Sequence, residues 1–82
     1  MEGGNVISIY PNPANKFVVI SSEVAVKAIE IYNLLGEKVF QTTSNNLKQF
    51  QTTIDVHHLP ASIYFVKVKS ETGSAVRKLV VQ

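Results

Sequence analysis

Leu59-Pro60-Ala61-Ser62-Ile63-Tyr64-Phe65-Val66-Lys67-Val68 is the stretch on which the reading of the fold turns. Its alternation sets Tyr64, Val66 and Val68 on one face, the period of two expected of a half-buried strand. Ser70-Glu71-Thr72-Gly73 then reads as a tight turn, with Gly73 supplying positive φ at small steric cost. The chain returns through Val76 into Arg77-Lys78-Leu79-Val80-Val81-Gln82, a strand that is basic and then β-branched. An alternating strand, a hairpin and a last strand thus fall at the carboxyl end, with no catalytic set among them.

The same turn chemistry recurs upstream at Asn33-Leu34-Leu35-Gly36, where asparagine favours the turn start and Gly36 the positive φ. Residues 25–32 alternate before it, with Lys27, Ile29 and Ile31 on one face and Ala28, Glu30 and Tyr32 on the other. Ile29 and Ile31 are expected to face the core and Glu30 to point outward. Leu34 and Leu35 are expected to fold back over one end of the domain, a small contact surface being the other reading. Residues 37–43 return as a strand, 43–48 form a polar, mobile connection, and 50–56 make a strand with Thr52, Ile54 and Val56 on one face.

Toward the amino terminus, residues 6–10 form a short strand stopped by Pro11 and Pro13, which cannot donate to a ladder. A type I turn opened by Asn12 is expected over 12–15. Residues 16–21 alternate little, which suits burial on both sides or the centre of a sheet.

Seven short strands at close spacing are most economically buried as two stacked sheets. The fold expected is all-β, an immunoglobulin-like β-sandwich of about seven antiparallel strands in two sheets. It lacks the paired cysteines and buried tryptophan of antibody domains. An 82-residue chain holds one domain at most, near the lower limit for a single core. The 45% apolar content argues against disorder. Met1-Glu2-Gly3-Gly4 reads as a cloning remnant, leaving residues 5–82 as the domain, an excised piece whose export signal lies elsewhere.

The composition excludes several chemistries. Eight basic and six acidic residues are scattered, and the pairs Lys67 with Lys69 and Arg77 with Lys78 are too short for a nucleic-acid stripe. They read as solvent-facing strand charge, which also discourages edge pairing. No run approaches the ~20 apolar residues of a membrane helix. Without cysteine there are no disulfides or thiolate metal sites. Asp55, His57, His58 and Ser62 are close in sequence, but no nucleophile elbow surrounds any serine. Adjacent histidines on a strand point to opposite faces, so one of them with Asp55 would give two ligands, fewer than zinc requires. No catalytic, cofactor or metal site is therefore expected. Tyr10, Tyr32 and Tyr64 could line a sugar-binding face, although Tyr64 reads better as a core ring with its hydroxyl at the rim.

These residues, in their order, resemble the type A carboxy-terminal sorting domain of the type IX (Por) secretion system of Bacteroidetes, over residues 6–82. Tyr10-Pro11-Asn12-Pro13-Ala14 is similar to its opening motif. Residues 29–39, with Asn33 and Gly36, are similar to a hairpin motif ending in Gly-x-x-Val. Leu59-Pro60 with Tyr64, Val66 and Val68 matches the next block, and residues 78–82 the basic-then-apolar ending. Ser62 departs from the glycine usual there.

The resemblance implies a non-catalytic, exported label on the carboxyl side of a larger cargo protein. The cargo would cross the periplasm, and the domain would be recognised by the outer-membrane type IX secretion machinery. A sortase-like protease would then remove it, leaving cargo on the cell surface or outside the cell. Recognition is expected at Arg77, Lys78, Leu79, Val80, Val81 and Gln82, by strand addition to the terminal hairpin. Pro11, Asn12, Pro13, Asn33, Gly36, Leu59, Pro60, Tyr64 and Gly73 are expected to be structural. No nucleic acid, cofactor or membrane span is expected, and an exposed edge strand could pair two copies. The alternative is an immunoglobulin-like carbohydrate-binding or adhesion module of a secreted protein.

Overall fold

The computed structural model describes residues 7–23, 25–43, 51–70 and 73–82. Seven strands follow one another: β1 (Ile7–Tyr10), β2 (Phe17–Ser22), β3 (Val26–Tyr32), β4 (Lys38–Thr43), β5 (Gln51–Asp55), β6 (Ser62–Ser70) and β7 (Gly73–Val81). All strand pairs are antiparallel. They form a three-stranded sheet in the order β1-β2-β5 and a four-stranded sheet in the order β4-β3-β6-β7. The sandwich expected from the alternation is the one observed. Residues 1–4, the polar connection at 44–48 and the turn residues Glu71 and Thr72 lie outside the described residues.

The core is the set of alternate positions on the facing sides of the two sheets. Val18, Ile20, Ile54 and Val56 from one side meet Ile29, Ile31, Tyr64, Val66, Val68, Leu79 and Val81 from the other. Nearly all are β-branched, the shape that packs best on a pleated surface. Each such side chain, fully buried, contributes roughly 1.5–3 kcal/mol before entropy is counted.

Three local expectations are corrected, and for β2 one of two alternatives is observed. Lys27 does not share a face with Ile29 and Ile31: the β3–β6 register shifts between Val26 and Ala28. The extra residue turns both Val26 and Ile29 inward and leaves Lys27 exposed. For residues 16–21 the second of the two readings is observed: β2 is the central strand of its sheet, with one face buried, through Val18, Ile20 and Ser22, and Phe17 48% exposed. No regular turn spans residues 12–15. Instead the Tyr10–Pro11 and Asn12–Pro13 bonds are cis, residues 11–13 bend, and Ala14 forms an isolated parallel bridge to Val81. Leu34 and Leu35 do not cover the sandwich end; they are 62% and 84% exposed at the hairpin tip.

That tip nevertheless forms as its asparagine dictates. The Asn33 carboxamide oxygen accepts from the N–H groups of Leu35 and Glu37, both at 2.9 Å. Its Nδ2 donates to Glu37 Oε1, and Gly36 has φ +85°. The β6–β7 hairpin is built differently: Ser70 pairs directly with Gly73, whose φ is +142°. One turn chemistry therefore does not serve both hairpins.

At the entry to β6, the Tyr64 ring is buried at 3% exposure and its hydroxyl donates to Pro60 O at 2.6 Å. A tyrosine early in the sixth strand bonding four residues upstream is the tyrosine corner of immunoglobulin-like sandwiches. Ser62 opens β6 opposite Val81. No non-glycine residue described has positive φ, so serine fits this position without backbone strain.

Candidate functional site

β7 stands at the edge of the four-stranded sheet, where its outward N–H and C=O groups would be open to another strand. Over residues 78–82 four of these groups are already used. Asn12 Nδ2 donates to Lys78 O, and Val80 N–H donates to Asn12 Oδ1, each at 3.0 Å. Ala14 N–H donates to Val80 O at 2.8 Å, and Gln82 N–H donates to Ala14 O at 2.7 Å. A carboxamide carries the same donor and acceptor as a peptide group. The Asn12 side chain therefore substitutes for a strand neighbour where the flanking prolines have no N–H to give. The opening and closing segments, 66 residues apart at their first contact, form one clasp.

This clasp was not legible as such in the sequence. The prolines signalled an end to β1, but nothing local to them shows that Asn12 and Ala14 serve the last strand. Among the described residues, no strand other than β6 pairs with residues 73–77 of β7. Arg77 and Lys78 are both exposed but, as neighbours on a strand, project from opposite faces. Arg77 leans back to its own edge, Nη1 donating to Val76 O at 3.1 Å. Leu79 and Val81 are core residues, 0% and 3% exposed, and so hold the site rather than display it.

The outer face of the four-stranded sheet carries a charged centre that alternation alone misses. Glu30 occupies the outward side of β3 as expected, but it is buried at 4% exposure. The Tyr32 hydroxyl donates to its Oε1 at 2.8 Å, while Lys38 and Lys69 each reach Oε2 at 3.4 Å. The tyrosine hydrogen bond, seconded by the two ammonium groups, holds the carboxyl down to about 2. The same bond pushes the Tyr32 phenol above its ordinary value. Lysine stems from both adjacent strands lie over the carboxylate, which is how a charged residue on a solvent-facing side becomes buried.

The histidines also depart from expectation. β5 ends at Asp55, and in the turn that follows strand alternation no longer separates His57 from His58. Ligand atoms of Asp55, His57 and His58 all lie within 4.8 Å of one another. Asp55 Oδ1 accepts from the His57 backbone N–H at 3.0 Å and is bonded to the ring Nδ1. These two bonds, the ring's first, hold the Asp55 carboxyl below its usual range. The three tyrosines share no surface. Tyr64 is in the core, Tyr32 is bonded to Glu30, and Tyr10 on β1 accepts from Gln51 Nε2 at 3.1 Å.

The family model described as the secretion system C-terminal sorting domain matches residues 8–82. The chain belongs to this family. It is a type IX secretion C-terminal sorting signal, and the carbohydrate-binding alternative is not favoured. A cargo protein, secretion machinery and export toward the outer membrane or cell surface follow from the family. Neither this role nor the sandwich fold is typically catalytic. Among solved structures, the chain is similar to a DUF3244-family protein with an immunoglobulin-like β-sandwich fold from Bacteroides vulgatus ATCC 8482. The two are 13% identical, with a TM-score of 0.68 over 88% of this sorting domain and 82% of that chain. That likeness bears on the fold. No curated protein sequence matches significantly.

Proposed function

We propose that the sorting domain is read in its folded form along β7, at the unsealed edge of residues 73–77 and the side chains of Arg77 and Lys78. The cargo precedes the domain in the chain and crosses the periplasm with it. The outer-membrane machinery engages the domain by adding a strand beside residues 73–77, and a sortase-like protease then separates label from cargo at the cell surface. The observation that supports this reading is the clasp. It joins the family's opening and closing motifs, while among the described residues no strand lies beside residues 73–77 on the outer edge of β7. Strand addition is a common way for a sheet edge to be recognised, main-chain bonds giving affinity and side chains giving specificity.

The test uses a periplasmic fluorescent reporter joined to the domain, in hosts with and without the secretion system. Deleting residues 78–82 is a poor probe, because it removes Leu79 and Val81 from the core. Arg77→Glu and Lys78→Glu keep the core and reverse charge on opposite faces. Reduced export by either, with unchanged thermal unfolding, supports the reading. Full export by both would assign these cations to solubility alone.

A further inference from the structure

We propose that Asp55, His57 and His58 form a surface site for a divalent transition-metal ion, with Zn²⁺ the ion that the donor set suits best. This site is separate from β7 and does not depend on how the machinery reads the domain. Three observations carry it.

The first is rigidity of the turn that bears the ligands. Val56, between Asp55 and His57, is fully buried, and its N–H donates to Lys16 O at 2.9 Å. Leu59 N–H donates to Val56 O at 3.0 Å, closing the turn on the far side of His58. The backbone of Asp-x-His-His is thus pinned to β2 and the core while the three side chains stand in solvent.

The second is convergence. One donor atom from each residue lies within 4.8 Å of the others, and the two imidazole rings meet edge to face with centroids 5.7 Å apart. Bonds of ~2.0–2.2 Å to zinc place tetrahedral donors about 3.3 Å apart. Small rotations of exposed side chains close that gap without moving the backbone. The metal would take the place of the contact between Asp55 Oδ1 and His57 Nδ1.

The third is donor chemistry and room. Two imidazoles and a carboxylate suit zinc, copper or nickel rather than calcium or magnesium, which prefer oxygen alone. A concavity of about 530 Å³, lined by Lys16, Phe17, Thr53, Asp55 and His57, opens beside the cluster. It leaves space for a water as fourth ligand. Lys16 is the cation facing this concavity, and its charge opposes the metal.

Calorimetric titration of the chelator-treated 82-residue domain with Zn²⁺, paralleled by imidazole NMR shifts, tests the proposal. One ion per chain is expected, with both histidine rings shifting. Asp55→Asn and His58→Ala should each weaken binding more than about tenfold, and the double variant His57→Ala/His58→Ala should abolish it. Lys16→Gln should tighten it. Thermal unfolding without metal checks that each variant folds. Absence of saturable binding at millimolar Zn²⁺, or undiminished binding by the folded double variant, would overturn the site.

Discussion

Glu30 illustrates how a single side chain changes its meaning once its neighbours are known. Read along β3 it is an ordinary outward acid; across the sheet it lies beneath Tyr32, Lys38 and Lys69. The information is not in the strand but in the register that sets Glu30 opposite Lys67 and Gln41 and brings longer side chains over it. Its depressed folded-state pKa contributes stability that is present above the ordinary value of 4.5 and lost as pH falls toward about 2. Urea midpoints followed across that window should drop in the native domain and drop less in Glu30→Gln, whose stability at pH 7 is already lower. Gly36 and Tyr64, by contrast, were legible from local chemistry. Gly36→Ala, at φ +85° with nothing within 4 Å of the added methyl, should cost about 1 kcal/mol through backbone conformation. Tyr64→Phe removes one buried hydrogen bond to Pro60 O and should cost roughly 1–2 kcal/mol in the same urea assay.

At the level of strands, the period-two pattern showed where each element lies, because β2, β6 and β7 each bury apolar residues at alternate positions: Val18 and Ile20, then Tyr64, Val66 and Val68, then Leu79 and Val81. What pattern cannot show is an extra residue in a ladder or a partner distant in sequence. The bulge at Lys27 and the clasp of Asn12 and Ala14 on β7 are of those kinds. Asn12→Ala should remove both side-chain bonds to the last strand and destabilise the domain by about 1–3 kcal/mol. Hydrogen exchange gives the sharper check: the Val80 amide, bonded to Asn12 Oδ1, should lose protection first. If its protection is unchanged while Lys78 and Arg77 behave as before, the carboxamide is not what seals the edge. The same variant lengthens the open edge from residues 73–77 toward the terminus, so pairing between copies should rise in sedimentation measurements.

Taken as one body, the domain rests on a core small enough that few side chains can be lost. Ile31 is fully buried between the sheets, and Ile31→Ala should cost roughly 2–5 kcal/mol. Against the total stability of about 5–15 kcal/mol usual for single domains, that loss approaches unfolding. If a folded shape is what the machinery reads, a reporter carrying Ile31→Ala should be retained in the cell while Arg77 and Lys78 remain in place. Export of this variant at full efficiency would show that a linear segment suffices. The family, too, was legible in the sequence, because its motifs are the very turns and strand ends that build the sandwich. The convergence of Asp55, His57 and His58 at the end of β5 was not, since it depends on where a strand stops, a boundary that alternation leaves uncertain by a residue or two.

Joining Asn12 and Ala14 to residues 78–82 means that neither flank of the sandwich is finished without the other. A polypeptide cut back to residue 77 lacks Leu79 and Val81 and leaves the early segment with nothing to grip. Rapid protease digestion of the domain cut back to residue 77, beside a resistant one that keeps residues 78–82, is the outcome this mutual dependence requires.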